Sequence, residues 1–165
     1  VADVTPTGML SLPIENLRIL LAASTTFQTL VNAGDAAAAK PYVYVDSIDE
    51  SVSRPFALVS DQAWNLSLVG QGAVNAFDEG GVLLLEIQAG VGDAYEDDGA
   101  GNNPGFEFRN TIGAIVEEML DLAASGTYLD VSGVRFEVPP TRVLPETEAA
   151  DEDFFAVRLQ LQWGR

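Results

Sequence analysis

The spacing of apolar residues switches between helical and alternating along this chain, and the order of those switches limits the folds open to it. Ile14, Leu17, Leu20 and Leu21 recur every three to four residues, the period of a helix with one buried face. Pro13 suits a first helical turn and Glu15 complements its positive end, so a helix is predicted over Pro13–Ala23. Thr25 followed by Gln28 has the pattern of a capping box. A second short helix is therefore predicted, with Phe27, Leu30 and Val31 inside and Gly34 as its stop.

From Pro41 the pattern alternates. Strands are predicted near Tyr42–Asp46, Arg54–Ser60, Trp64–Val69 and Val82–Ala89. In the last of these Leu83, Leu85, Ile87 and Ala89 point one way, and Glu86 and Gln88 the other. Helical spacing returns with Phe108, Ile112, Ile115, Val116, Met119, Leu120 and Ala123. That predicts a long helix from Glu107 to Ser125, with Glu117, Glu118 and Asp121 towards water and Gly126 ending it. Two alternating segments follow, around Val134–Val138 and Phe155–Trp163.

This order specifies an α+β fold: a mixed, mainly antiparallel sheet packed against helices on one face. No linker or repeat divides it, so residues 1–165 read as a single domain. The expected core between sheet and helices is Phe56, Trp64, Leu66, Leu85, Ile87, Ile112, Ile115, Val116, Met119, Phe136, Leu159 and Leu161.

Composition removes whole classes of chemistry. The chain has no cysteine and no histidine, which excludes disulfides, thiol nucleophiles, Ser-His-Asp triads and imidazole zinc sites. It has no glycine-rich phosphate loop with a Lys-Ser/Thr and no Gly-x-Ser-x-Gly elbow; Val131-Ser132-Gly133 reads as a turn. The neighbouring acids Glu117-Glu118 and Asp97-Asp98 do not share a helix face and so do not converge on a substrate. No catalytic residue, no cofactor and no metal site is expected, and the chain does not read as an enzyme. No apolar run reaches the length of a membrane span, so no membrane partner is expected, and Val1–Leu12 lacks the features of a targeting signal.

Twenty-five acidic residues against eight basic ones leave a net charge of −17. Lys40 is the single lysine, and the seven arginines are scattered along the chain. Such spacing builds no basic stripe in sequence, which argues against a direct grip on nucleic acid. Solubility or adaptation to salt accounts for this charge equally well.

Two segments stand out between the regular elements. Gly70–Gly81 is too long for a tight hairpin turn; it either extends the hairpin beyond the body or forms a loop displaying Val74 and Phe77. An apolar pair among glycines gains a lone monomer little, so Val74, Asn75, Phe77 and Asp78 are the candidate contact residues. Gly90–Gly105 holds five glycines with Asp93, Glu96, Asp97 and Asp98. It offers hard oxygen ligands, but no calcium-loop alternation and no closing Glu, and reads better as a solvated loop.

The segments Leu20-Leu21-Ala22-Ala23-Ser24-Thr25-Thr26-Phe27-Gln28-Thr29-Leu30-Val31, Arg54-Pro55-Phe56-Ala57-Leu58-Val59 and Glu79-Gly80-Gly81-Val82-Leu83-Leu84-Leu85-Glu86-Ile87 occur in that order. The Trp64 strand lies between the last two, and the long helix and a closing strand ending Leu161-Gln162-Trp163-Gly164 complete the pattern. In this order over nearly the whole chain the sequence resembles the tail terminator (tail completion) proteins of long-tailed bacteriophages. The resemblance implies a virion structural protein, made in the host cytoplasm and placed at the neck end of the tail. It implies a homo-hexamer ring that ends polymerisation of the tube and joins the tail to the head. The implied partners are further copies of the chain, the major tail tube protein, and a head–tail connector or head-completion protein. DNA would be only cargo passing through the channel, and an acidic wall suits that passage because it does not retain phosphate. Val74, Asn75, Phe77 and Asp78 would then face a neighbouring subunit or the tube. The acidic segment Gly92–Asp98 departs from the family pattern. Two other readings remain at this stage: a head-completion or neck adaptor protein of the same junction, and an acidic soluble binding module using Gly90–Gly105.

Overall fold

The computed structural model describes Pro6 and residues 11–68, 77–90, 104–124, 135–136, 142–144 and 154–164. Three helices open the chain: α1 (Leu12–Ala23), α2 (Thr25–Leu30) and the single turn α3 (Ala36–Ala39), which runs into a 3-10 turn at Lys40–Tyr42. Strands β1 (Val43–Val45), β2 (Phe56–Leu68) and β3 (Phe77–Gly90) follow, then α4 (Pro104–Ala124). Strands β4 (Arg135–Phe136), β5 (Arg142–Leu144) and β6 (Phe154–Gly164) complete the described elements.

The strand order is β1-β2-β3-β6-β4, with β5 also paired to β6. β1 runs parallel to β2 and every other pair is antiparallel. The architecture is α+β, with a mixed sheet and helices on one face.

Local chemistry explains where the elements begin. Pro13 stands in the first turn of α1, and Glu15 carries the first-turn acid. The α1–α2 corner is capped by Ser24, whose Oγ accepts from the Phe27 N–H at 3.0 Å. The capping box anticipated at Thr25 and Gln28 does not form: Gln28 Nε2 donates to the Ala22 carbonyl. α3 has an Asp35 cap that accepts from the Ala38 N–H at 2.8 Å. Four alanines carry no polar–apolar pattern, so that turn had no periodic signature.

Two strand assignments change. The expected strands Arg54–Ser60 and Trp64–Val69 fall largely within one 13-residue strand, β2 (Phe56–Leu68), with a bulge between Asp61 and Ala63; Val69 lies outside the described residues. The extra residue Gln62 inverts the alternation, placing Ala57, Val59 and Asp61 at register positions on the same face as Trp64 and Leu66. Among the described residues three strands precede α4 and three follow it, because two expected strands merge into β2 and β5 was not anticipated. Gly126 lies outside the described residues.

The main core fills the space between helices and sheet. Leu17 and Leu21 of α1, Phe27 of α2, and Phe108, Ile112, Ile115 and Met119 of α4 meet Ala57, Val59, Leu83, Leu85, Ile87, Val157, Leu159 and Leu161. Val116 packs partly buried against this cluster. Phe56 is a correction. It is buried, 1% exposed, but pairs across from Gln88 on the face opposite the helices. Its ring meets Tyr44 edge-on at 6.0 Å. Trp64, Leu66 and Phe136 occupy ladder positions opposite Gly81, Glu79 and Trp163, and their side chains lie outside the described residues.

Candidate functional site

The β2–β3 hairpin positions the contact residues expected from sequence. β6 pairs with β3 only from Gly90↔Phe154 to Gly80↔Gly164. The β2–β3 ladder continues past that point through Leu66↔Glu79, Ser67↔Asp78 and Leu68↔Phe77. Phe77 and Asp78 thus belong to a strand, and among the described residues the β2–β3 ladder runs three rungs further than the β3–β6 ladder. The Gly70–Gly81 segment extends the hairpin at its Phe77–Gly81 end rather than looping there. Val74 and Asn75 lie outside the described residues, as does most of Gly90–Gly105; Pro104 and Gly105 open α4.

Three polar networks lie elsewhere on the body. On the helical side, Glu118 of α4 reaches the start of α2. Its carboxylate accepts from Ser24 Oγ at 2.6 Å, Thr26 Oγ1 at 2.7 Å, the Thr26 N–H at 3.1 Å and Thr25 Oγ1 at 3.1 Å. Partial burial opposes ionisation, but the hydrogen bonds from Ser24, Thr26 and Thr25 outweigh it and lower the pKa from 4.5 to about 2. The expected outward-facing role of Glu118 is therefore corrected: it is a permanent anion tying two helices together. Nothing local in sequence pairs residues 24–26 with residue 118, so sequence reasoning missed it.

The second network ties α1 to the start of β1. Glu15 accepts from Arg18 Nη1 at 3.0 Å and also pairs with Lys40. Arg18 Nε donates to the Val43 carbonyl at 2.9 Å. The third network crosses the helix-free face of the sheet. Arg158 Nε donates to Glu86 Oε2 at 2.7 Å, Gln88 donates to the other oxygen of Glu86, and Arg54 Nε donates to Gln88 Oε1 at 2.9 Å. The Arg54 guanidinium also stands 3.8 Å over the Phe154 ring.

At the free end of β1, Asp46 holds a left-handed φ of 61°, a conformation short acidic side chains tolerate. Burial and then the like charge of Asp46 push the Asp61 carboxyl up. The backbone N–H of Ser51 and then its hydroxyl hold Asp49 down. Among the described residues no group of three or more His, Cys, Asp or Glu side chains could hold a metal ion, and no helix is long and apolar enough to cross a membrane.

These arrangements can hold surfaces in place and present them to a partner. The stretch of the β2–β3 ladder from Leu66↔Glu79 to Leu68↔Phe77 is the part most directly suited to contact, since among the described residues no third strand pairs with it. The sequence matches no protein-family model and no curated protein.

Proposed function

We propose that this chain is a ring-forming tail terminator subunit, set at the head-proximal end of a phage tail tube, where it stops tube growth and docks the head connector. The observation that carries the reading is that, among the described residues, the β2–β3 ladder continues for three rungs beyond the β3–β6 ladder and brings Phe77 and Asp78 to its far side. Strands that run on past their sheet can pair with another chain, either a copy in a ring or the tube end. The ordered sequence resemblance supplies the identity of those partners. The anionic character of the chain, −17 per copy, fits a conduit through which DNA passes without being retained.

The test is averaged electron imaging of virions that carry the chain, together with light scattering of the isolated protein. The expected result is a homo-hexameric mass and ring density on the last layer of the tube. Density along the shaft or at the distal tip overturns the reading. Density one level higher, against the portal, assigns the chain to the neck adaptors instead.

A further inference from the structure

We infer that the exposed face of α4 docks against the same face of a second copy of this chain, the two helices running antiparallel and crossing at Gly113. Such a two-fold contact closes with two copies, so it goes beyond the ring reading and stands apart from it.

Phe106, Arg109, Asn110, Gly113, Glu117 and Asp121 are the exposed positions of α4, and their three-to-four spacing makes one face. Gly113 lies at its middle, with nothing within 4 Å of where a Cβ would stand. Glycine weakens a helix interior relative to alanine, and no contact among the described residues calls for one here. A second helix crossing at this point uses the missing side chain, because the distance between packed helices is set by the side chains at their contact.

Charge identifies the occupant. Arg109 is the single basic residue of α4; it stands four residues before Gly113, and Glu117 stands four residues after. Each is thus about 6 Å along the axis from the glycine. Separated from each other by about 12 Å, they do not pair within one helix. α4 has no acid three or four residues from Arg109 and no base three or four residues from Glu117. The ion pairs of the described residues join Glu15 to Arg18 and Lys40, and Arg158 to Glu86; Arg109 and Glu117 take part in none of them. An antiparallel α4 turned about Gly113 sets each Arg109 against Glu117 of the other copy, twice by symmetry. A parallel copy sets like charge against like at both positions and is disfavoured.

The same two-fold turn matches apolar residues. Phe106 lies seven residues before Gly113 and Leu120 seven after, each about 10 Å from the crossing. Phe106 is 66% exposed, the most open large apolar side chain among those described, and Leu120 is half-buried. Each Phe106 ring therefore comes to the Leu120 end of the other helix, which removes from water an apolar surface that a lone monomer displays. Outward from Gly113, α4 is self-complementary in charge and in apolar surface. Repulsion between molecules of net charge −17 opposes the approach at low salt and is screened beyond about 8 Å near 0.15 M salt, so local pairing decides the outcome there.

Sedimentation velocity of the full chain at about 0.15 M salt tests this. Arg109→Glu and Glu117→Arg each create two like-charge pairs in the dimer, and each alone is expected to weaken self-association about tenfold. An equimolar mixture of the two variants is expected to associate like the parent, since unlike charges then meet at both positions. A change in folding or solubility is not rescued by mixing. Gly113→Gln, placed in open space within the monomer, is expected to weaken association while leaving the monomer's melting temperature no lower. A parent that stays monomeric at every concentration overturns the contact. Association that survives both single variants unchanged, or a mixture no better than its components, overturns it too. None of these outcomes touches the ring reading, which electron imaging of virions decides separately.

Discussion

Gly81 and Trp163 face each other across the β3–β6 ladder, and a Cβ on Gly81 would stand 2.8 Å from the indole Nε1. The same Cβ would also run into the Ala63 carbonyl oxygen at the β2 bulge. The indole is 3% exposed and its N–H has no partner among the described residues, so the ring is fixed by packing against a position that must lack a side chain. Gly81→Ala is expected to lower stability by about 1–3 kcal/mol through overpacking, read as an earlier urea midpoint. Trp163→Phe in that background restores part of the loss and leaves the part due to the backbone oxygen.

Glu118 makes stability depend on acid. Its folded pKa of about 2 lies below the ordinary 4.5, so the unfolded chain takes up the proton first as pH falls. The contribution is complete above pH 4.5 and is lost as pH falls from there through about 2. Glu118→Gln is expected to cost about 1–2 kcal/mol at pH 7, allowing for solvent screening of a partly exposed group. The gap between parent and variant should close in urea titrations below pH 4.5. An equal gap at pH 3 and pH 7 would contradict the charge-based account.

Gly113 offers a change in the other direction. With open space around the missing Cβ, Gly113→Ala is expected to stabilise the monomer by about 0.5–1 kcal/mol through helix propensity. Thermal melting of the isolated protein checks it.

Ile115 is fully buried on the core face of α4. Ile115→Ala should lower stability by about 2–5 kcal/mol, the sum of lost transfer energy and a residual cavity. A urea midpoint equal to the parent's would mean that α4 packs by another face.

Phe77 separates assembly from folding. It sits opposite Leu68 at the described limit of the ribbon, three rungs past the end of β6. Phe77→Ser is expected to leave the monomer's melting temperature unchanged and to abolish ring formation or tail completion. A lowered melting temperature with normal assembly would assign Phe77 to the fold instead.

Most of the architecture was legible because α4 and β6 are long enough for their periods to be unambiguous. Leu85, Ile87, Ile115 and Leu159 followed from that pattern alone. The misses have separate physical causes. Gln62 in the bulge shifts the alternation of β2 by one residue, so a single strand looked like two. Arg142–Leu144 is too short to show a period, and Ala36–Ala39 has no polar side to contrast with. Phe56 shows that alternation divides residues between two faces without saying which face is covered. At the candidate site, the length of Gly70–Gly81 left an extended hairpin and a loop both open, and only the register of Phe77–Gly81 against β2 separates them. The Glu118 clamp was not, because its partners lie 92 to 94 residues away and only folding brings them together.

The placement of β6 also sets a timetable for synthesis. β6 is the strand that joins β3 on one edge to β4 and β5 on the other. A nascent chain emerging from the ribosome can form the β2–β3 hairpin and its helices early. The apolar faces of β3 and α4 nevertheless wait for Val157, Leu159, Leu161 and Trp163, which enter the same buried cluster. Until residues 154–164 have left the exit tunnel, the β3 edge is open to pairing with other chains. Cells making the protein in quantity therefore expose this edge from the emergence of β3 until β6 follows it, and slower elongation over that interval should lengthen the exposure rather than aid folding.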